Sequence, residues 1–331
     1  MTQAFQNNRD ITSIVFHEGM TNIDNDAFVW CSSLKSVKLP ESLTRIGSNA
    51  FSGCIALTDI TLPDSLTEIA WYAFKDCRSL TSITIPHGIT HIDNYTFYGC
   101  TSLASITMPD TLTSIGTYVF YNCSALTSIN LPDSITSIGN AAIAGCISLT
   151  SITIDPNNSY FKVVDGDLYT TDGTMLVAYA AGDMETTFTV PDGVTSIGFG
   201  VFFGCSYLTS ITIPDGVTSL NDYTFADCTS LTSITMPNSV TNLGMFAFKN
   251  CTALASVTMS NTLTDISRST FENCTALTSI TIPSTITSIG LGAFSGCTAL
   301  TITFDLTLSQ VNSKVTLGTA WSSGVIAIEY K

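Results

Sequence analysis

The cysteines of this 331-residue chain, eleven in number, all fall on one beat. Cys31, Cys54, Cys77, Cys100, Cys123 and Cys146 are 23 residues apart, as are Cys205, Cys228, Cys251, Cys274 and Cys297. A fixed period in the twenties marks a supersecondary unit too small to bury its apolar face alone, which does so by stacking on copies of itself. An odd number of cysteines on uniform spacing, with no C-x-x-C pair, is neither a disulfide framework nor a zinc site. Stacked cysteines about 5 Å apart at Cα come within reach of a disulfide. Parallel inward side chains, and the usual burial of free thiols, favour reduced packing residues instead.

One repeat unit runs Leu34, Val37, Leu39, Pro40, Leu43, Ile46, Gly47, Ala50, Phe51 and Cys54. The same beats return as Leu57, Ile60, Leu62, Pro63, Leu66, Ile69, Phe74 and Cys77, and again as Leu231, Ile234, Met236, Pro237, Val240, Leu243, Phe248 and Cys251. The three leading apolar residues fit a short strand with alternate side chains facing inward. Proline, which cannot donate a ladder hydrogen bond, ends that strand and presets a turn, and the recurrent Pro-Asp is turn chemistry. The stretch from Leu43 to Cys54 is short for an ordinary helix, which predicts a turn or a single 3₁₀ winding that carries Phe51 inward.

These beats, L-x-x-[IV]-x-[IL]-P, then I-G, then A-F-x-x-C, resemble the leucine-rich repeats of the BspA-like bacterial surface antigen type from Ile11 to about Phe304. Departures are mild: Ile143 replaces the phenylalanine, Ser260 and Ser284 stand at the Pro and Asp slots, and His17 takes the first proline slot. The resemblance implies a leucine-rich repeat solenoid, a right-handed superhelix with a parallel β-sheet on the concave face and turn or 3₁₀ segments on the convex face. It also implies a binding or adhesion role at the cell surface or in the extracellular space, with a host or matrix protein or a glycan as partner. It supplies no catalytic residues.

A solenoid grows by adding coils, so residues 1–331 are expected to form a single elongated domain. Within it, 11–154 read as N-terminal repeats, 155–187 as an insert, 188–304 as C-terminal repeats and 305–331 as strands of a C-terminal cap. The insert fills the broken interval from Cys146 to Cys205. It reads as a β-hairpin, since Asp172-Gly173 separates Leu168–Thr171 from Thr174–Val177. Such an insertion either pads the solenoid or forms a binding loop. Residues 1–10 are polar and carry no signal peptide, which suggests a fragment or mature form of something longer.

A formal charge of −15 with only 11 basic residues argues against nucleic acid, whose phosphates need clustered Lys and Arg, and against anionic membranes. No apolar run of about 18 residues predicts membrane insertion. A monomer is expected.

Two outward columns on the strands form a hydroxyl ladder, for example Ser82, Ser105 and Ser128 beside Thr84 and Thr107. It lacks the aromatic and arginine anchors that usually carry binding energy. Such anchors lie elsewhere: Trp71, Tyr72, Tyr95, Tyr98, Tyr118 and Tyr121 gather in successive coils, accompanied by His87, His91 and Asp93. Trp71, the five tyrosines and His91 are the candidate ligand-binding residues, because Tyr and Trp supply rigid contact area with a polar tip. The alternative is ring stacking between neighbouring coils, which is also the reading of Tyr223, Phe246, Phe199 and Phe203. Carboxylates after the prolines (Glu18, Glu41, Asp64, Asp110, Asp133, Asp192 and Asp215) suit turns; a calcium column is the rival reading.

No metal or cofactor is expected. Neither H-E-x-x-H nor G-x-S-x-G occurs, and His87 and His91 lack partners in a known catalytic order. The sequence therefore predicts a non-catalytic binding or adhesion module. A structural spacer with no ligand is the alternative, and an enzyme using His87, His91 and the insert acids Asp165 and Asp167 is a remote one.

Overall fold

A computed structural model describes residues 5–331; residues 1–4 of the polar leading segment lie outside them. The chain divides into two units. The first runs to Thr171 and includes Ala180–Asp183, and the second comprises Asp172–Tyr179 and Met184–Lys331. Each is a parallel β-solenoid of stacked coils, the leucine-rich repeat solenoid that the repeat pattern predicts.

Every coil is built from the repeat outward. The L-x-x-V-x-L beats place strands such as Ser36–Lys38 and Ser105–Thr107 in register with the preceding coil, Ser13 opposite Ser36 and Ser82 opposite Ser105. Val37 and Ile83 point inward while Ser36, Lys38, Ser82 and Thr84 face solvent. After Pro40 the chain turns, with the Leu43 N–H donating to the Pro40 carbonyl, and the same bond recurs at Pro63, Pro191 and Pro214. The carboxylates after the prolines thus sit in the turns their chemistry suits.

The segment between Leu43 and Cys54 holds more than the predicted turn. It holds a second, two-residue strand, Arg45–Ile46, paired with Asn22–Ile23 and Glu68–Ile69 in a narrow parallel sheet. Such a strand is too short to show alternation in the sequence, and only the buried Ile of the I-G beat betrays it. From Ser48 to Gly53 the chain forms a series of turns rather than 3₁₀ helix. Two residues per coil there lie in the left-handed region, as Asn49 and Gly53 do; the first of them forms a column of Asp26, Asn49, Tyr72, Tyr95, Tyr118 and Ala141 in the first unit and of Gly200, Tyr223, Phe246, Ser269 and Gly292 in the second.

Buried phenylalanines from successive coils stack face to face, at 5.6 Å for Phe74–Phe97 and 5.8 Å for Phe97–Phe120 in the first unit, and 5.3 Å for Phe248–Phe271 in the second. The cysteines line the same core and are all buried and unpaired. Within each run of coils the thiol donates to the carbonyl of the phenylalanine one coil back, from Cys31 to Cys146 and from Cys228 to Cys297, as Cys123 Sγ does to Phe97 O at 3.2 Å and Cys251 Sγ to Phe225 O at 3.1 Å. Cysteine is thus a small apolar residue that also satisfies a buried carbonyl. Threonine contributes similarly at the rim, Thr44 Oγ1 donating to Thr21 O at 2.9 Å and Thr113 Oγ1 to Thr90 O at 2.9 Å.

Residues of the insert enter both units. In the first, Phe161–Val164 pairs antiparallel with Asp167–Thr170 across Asp165-Gly166, whose positive φ values of 51° and 91° match a two-residue primed turn. In the second, Met175–Ala178 takes a place in the narrow sheet, parallel to Ser196–Ile197. Buried Asn158 latches this hairpin to the preceding coil. Its Nδ2 donates to Asp133 O and Ile135 O at 2.7 and 2.8 Å, and its Oδ1 accepts from the N–H of Tyr160 and Phe161 at 2.9 and 2.8 Å. Asn158→Ala is expected to cost about 2–3 kcal/mol by leaving buried backbone groups unpaired. Faster amide exchange confined to Tyr160–Thr170 is the signature to look for.

The C-terminal segment does contain strands on the beat, Thr316–Leu317 beside Ser288–Ile289 and Ala327–Tyr330 beside Thr301–Phe304. Between Phe304 and Thr316 it also forms a helix, Leu308–Lys314, that the strand reading omits. Thr307 and Gln310 make a reciprocal capping box at its start, and this T-x-x-Q signal was visible in the sequence.

Candidate functional site: an aromatic and polar surface of the first unit

The candidate residues fall into two groups. The first is a tyrosine ladder. Tyr72, Tyr95 and Tyr118 stack at 4.7 and 5.1 Å, Tyr98 and Tyr121 stack at 4.9 Å, and Tyr95 meets Tyr98 at 5.9 Å. The five rings are half-buried, so inter-coil stacking occupies most of their faces and leaves edges and hydroxyls outward. Lys75 Nζ lies 5.6 Å from the Tyr72 ring centre and 5.3 Å from that of Tyr98, a cation held on the ladder. Burial pushes the Tyr95 phenol up, and the neighbouring Tyr72 adds to the shift.

Tyr72, Tyr95 and Tyr118 stand in the left-handed column, at φ 61°, 60° and 56°. Asn and Asp suit that conformation and bulky residues rarely enter it. Asn49 and Asp26 fill the slot one and two coils earlier. Three consecutive aromatics there carry a backbone strain that the surrounding coils over-determine, the kind of outlier that clusters at functional positions.

The second group surrounds Trp71, which is 52% exposed. Its indole N–H lies close enough to the Asp93 carboxyl to pull its pKa down. Asp93 Oδ1 is also 2.7 Å from His91 Nε2, while His91 Nδ1 is 2.9 Å from Ser114 Oγ. Burial pushes the Asp93 carboxyl up, against the opposing pulls of His91 and of the indole N–H. The narrow sheet sets this out, because His91 and Ser114 are register partners on adjacent strands. One coil earlier Arg45 Nε pairs with Glu68 Oε1 at 3.0 Å. The result is an exposed indole beside a charged column.

Asp93–His91–Ser114 is a carboxylate–imidazole–hydroxyl chain that the sequence reading did not assemble. The parallel register of 23-residue repeats brings it together, a relation motif scanning does not test. The amides near Ser114 are engaged: Thr113 N–H on Thr90 O, Gly116 N–H on Ile92 O and Thr117 N–H on Asn94 Oδ1. They offer no oxyanion hole, which acyl transfer requires. His87 makes a 3.2 Å contact to Asp110 with both side chains solvated. The insert acid Asp167 is buried, accepting from Ala180 N–H at 2.9 Å.

Asp93→Leu removes the carboxylate that is bonded to His91 and lies beside the indole N–H. The expected result is faster exchange of the Trp71 indole proton, read by NMR, with those of Trp30 and Trp321 unchanged.

The stacked coils, short strands and phenylalanine–cysteine core define a leucine-rich repeat protein. The BspA-type leucine-rich repeat region matches residues 1–94, 67–163 and 178–301, and the chain belongs to that family. It is similar to a leucine-rich cell surface protein from Faecalibacterium prausnitzii, at 28% identity over 97% of this chain and 88% of that one, with a TM-score of 0.70. It shares its fold with a leucine-rich repeat protein from Eubacterium ventriosum, at 24% identity, 96% and 84% coverage and a TM-score of 0.68. The same holds for the pneumococcal vaccine antigen PcpA, at 18% identity, 98% and 90% coverage and a TM-score of 0.68. No curated protein matches the chain. Among the described residues, no helix is long and apolar enough to cross a membrane.

Proposed function

We propose that the chain is a non-catalytic binding and adhesion module that works outside the cell and recognises a protein or glycan through the Trp71 surface. The observation that carries this reading is the exposed Trp71 indole beside the hydrogen-bonded Asp93–His91–Ser114 chain. A large, rigid exposed aromatic contributes contact area with few rotatable bonds to order on binding, the property of interface hot spots. The half-buried tyrosines with Lys75 extend the surface with phenol edges and one cation. Extracellular display is supported by the similarity to the Faecalibacterium prausnitzii surface protein. The formal charge of −15 sets nucleic acid aside as a partner.

The Asp93–His91–Ser114 chain is read as a positioning network for Trp71, because no amide donors face a developing oxyanion. Ester hydrolysis by the chain is accordingly expected to equal that of the His91→Ala variant.

The test is a solid-phase screen against extracellular matrix proteins and a glycan array, run with the Trp71→Ala variant alongside. Saturable binding that the variant loses supports the module. An absence of binding to every component supports a spacer with no ligand of its own.

A further inference from the structure

The residue before each of the eleven cysteines lies in the left-handed region, and apart from Trp30 every one is Gly, Asp or Asn, as at Gly53, Asp76, Gly99 and Asn122. Those three residue types enter that conformation readily, and a bulky side chain there is an outlier. Trp30 holds it at φ 59° and is 47% exposed. The other coils close around their Phe and Cys with no ring at this slot, so packing does not demand one here. A strained residue that packing does not demand points to a function.

The indole is seated on the next coil. A Cβ on Gly53 would fall 2.6 Å from Trp30 Cδ2 and 2.8 Å from Trp30 Cζ3, and closer still to Cε3 between them. Three adjacent ring atoms at so nearly one distance set the face of the ring, not its edge, against the glycine. Any other residue at 53 would bring a side chain into the space that the indole fills. With that face covered, the exposure of Trp30 belongs to the opposite face, which is open to solvent. The N–H groups of Trp30, Gly53 and Asp76 donate to Ser52 O, Lys75 O and Tyr98 O, each at 2.7 Å, which lines the three slots up along successive coils. At the third of them the exposed Arg78 places Nη2 3.3 Å from the Asp76 carboxylate.

We infer that Trp30 is the platform of a carbohydrate site, which takes a neutral pyranose with its C–H face on the indole and its hydroxyls toward the Asp76–Arg78 pair. One open face with no wall above it removes water from only one side of a ligand. A pyranose suits that contact, because one of its faces is C–H while the hydroxyls around its rim stay in water or reach charged partners. An apolar side chain would leave its second face wet. An organic cation, which indole faces also attract, would meet the guanidinium of Arg78. The net charge of −15 sets acidic sugars aside. Coils stack at about 4.8 Å, so Asp76 lies about 10 Å along the column from residue 30. An indole reaching over Gly53 covers most of that span and leaves the rim of a bound sugar beside the ion pair. The site is separate from the Trp71 surface and does not depend on it.

The experiment titrates the full chain with the methyl pyranosides of glucose, galactose, mannose and N-acetylglucosamine. NMR follows the three indole signals and the saturation transferred from protein to the sugar C–H protons. At least one sugar is expected to shift the Trp30 signal saturably, with a Kd of about 1–10 mM, as befits a one-sided contact. Trp30→Asn gives the slot the residue found at Asn122; it should melt as the parent does, identify the Trp30 signal by its loss, and abolish the transfer. Gly53→Asn also suits the left-handed backbone but puts a Cβ in the seat of the ring, and should weaken binding about tenfold. Trp71→Ala should leave sugar binding unchanged, so that this site and the Trp71 surface fail or succeed separately. No saturable shift of Trp30 with any of the four sugars, or transfer that Trp30→Asn retains, overturns the inference. A Trp30 shift produced only by choline or by N-acetylphenylalanine amide also overturns it.

Discussion

Raising the pH from 8 to about 10 is expected to unfold the first unit, because its thiols cannot ionise where they lie. Burial pushes the thiols of Cys31, Cys54, Cys77, Cys100 and Cys123 above the ordinary value of 9.0, and that of Cys146 up to about 12. A group whose folded pKa is raised contributes its full stability below the unfolded pKa and loses it as pH climbs toward the folded one. The loss here begins near 9.0 and continues upward. One unit above the unfolded pKa, each buried thiol costs about 1.4 kcal/mol, so five of them cost about 7 kcal/mol. That is comparable with the whole stability of an ordinary domain, about 5–15 kcal/mol. Urea titrations under reducing conditions at successive pH values read the slope directly. Replacing Cys100 and Cys123 with Ser should flatten it by about 2.7 kcal/mol per pH unit, since a hydroxyl does not titrate in this range. A parent protein whose stability stays level from pH 8 to 10 contradicts the burial account.

Phe97→Ala is expected to destabilise the first unit by about 3–5 kcal/mol. The ring is wholly buried and stacked between Phe74 and Phe120 at 5.6 and 5.8 Å, so no neighbour can collapse into the space without leaving its own stack. The loss spreads along the array, because each coil is stabilised mainly by its neighbours and a weak coil uncouples those on either side. The urea transition should therefore broaden or split, which a single cooperative core would not do. Phe97→Leu keeps most of the volume and is expected to cost about 1.5 kcal/mol or less. A sharp single transition with less than about 1 kcal/mol lost in Phe97→Ala would rule out the ladder as the source of stability.

The coil's strand, its proline turn and the inward Phe and Cys were legible because each repeats at one fixed slot, so every copy is an independent sighting of the same constraint. The narrow sheet was not, since two residues such as Arg45–Ile46 leave no alternation to detect. The Leu308–Lys314 helix was legible in its Thr307/Gln310 box but was hidden by the strand pattern around it. At the candidate site, the repeat register exposed the clustering of Trp71 with the tyrosines. Their division did not show, because ring faces stacked on each other and an indole set beside Asp93 are relations across coils. The Asp93–His91–Ser114 chain escaped for the same reason. It joins His91 to Ser114 across a 23-residue separation, and a linear scan reads these two as unrelated.

The central claim is that ligand recognition belongs to the Trp71 surface and not to the broad strand face. The measurement that tests it most directly compares two variants against one ligand from the matrix and glycan screen. The first combines Trp71→Ala with Tyr95→Asn, a substitution the left-handed backbone accommodates because Asn49 already occupies the equivalent slot at φ 54°. The second places lysines on the exposed strand face at Ser105 and Thr107. Loss of saturable binding in the first variant with retention in the second is the predicted result. Retention in the first with loss in the second would contradict it and move recognition to the sheet.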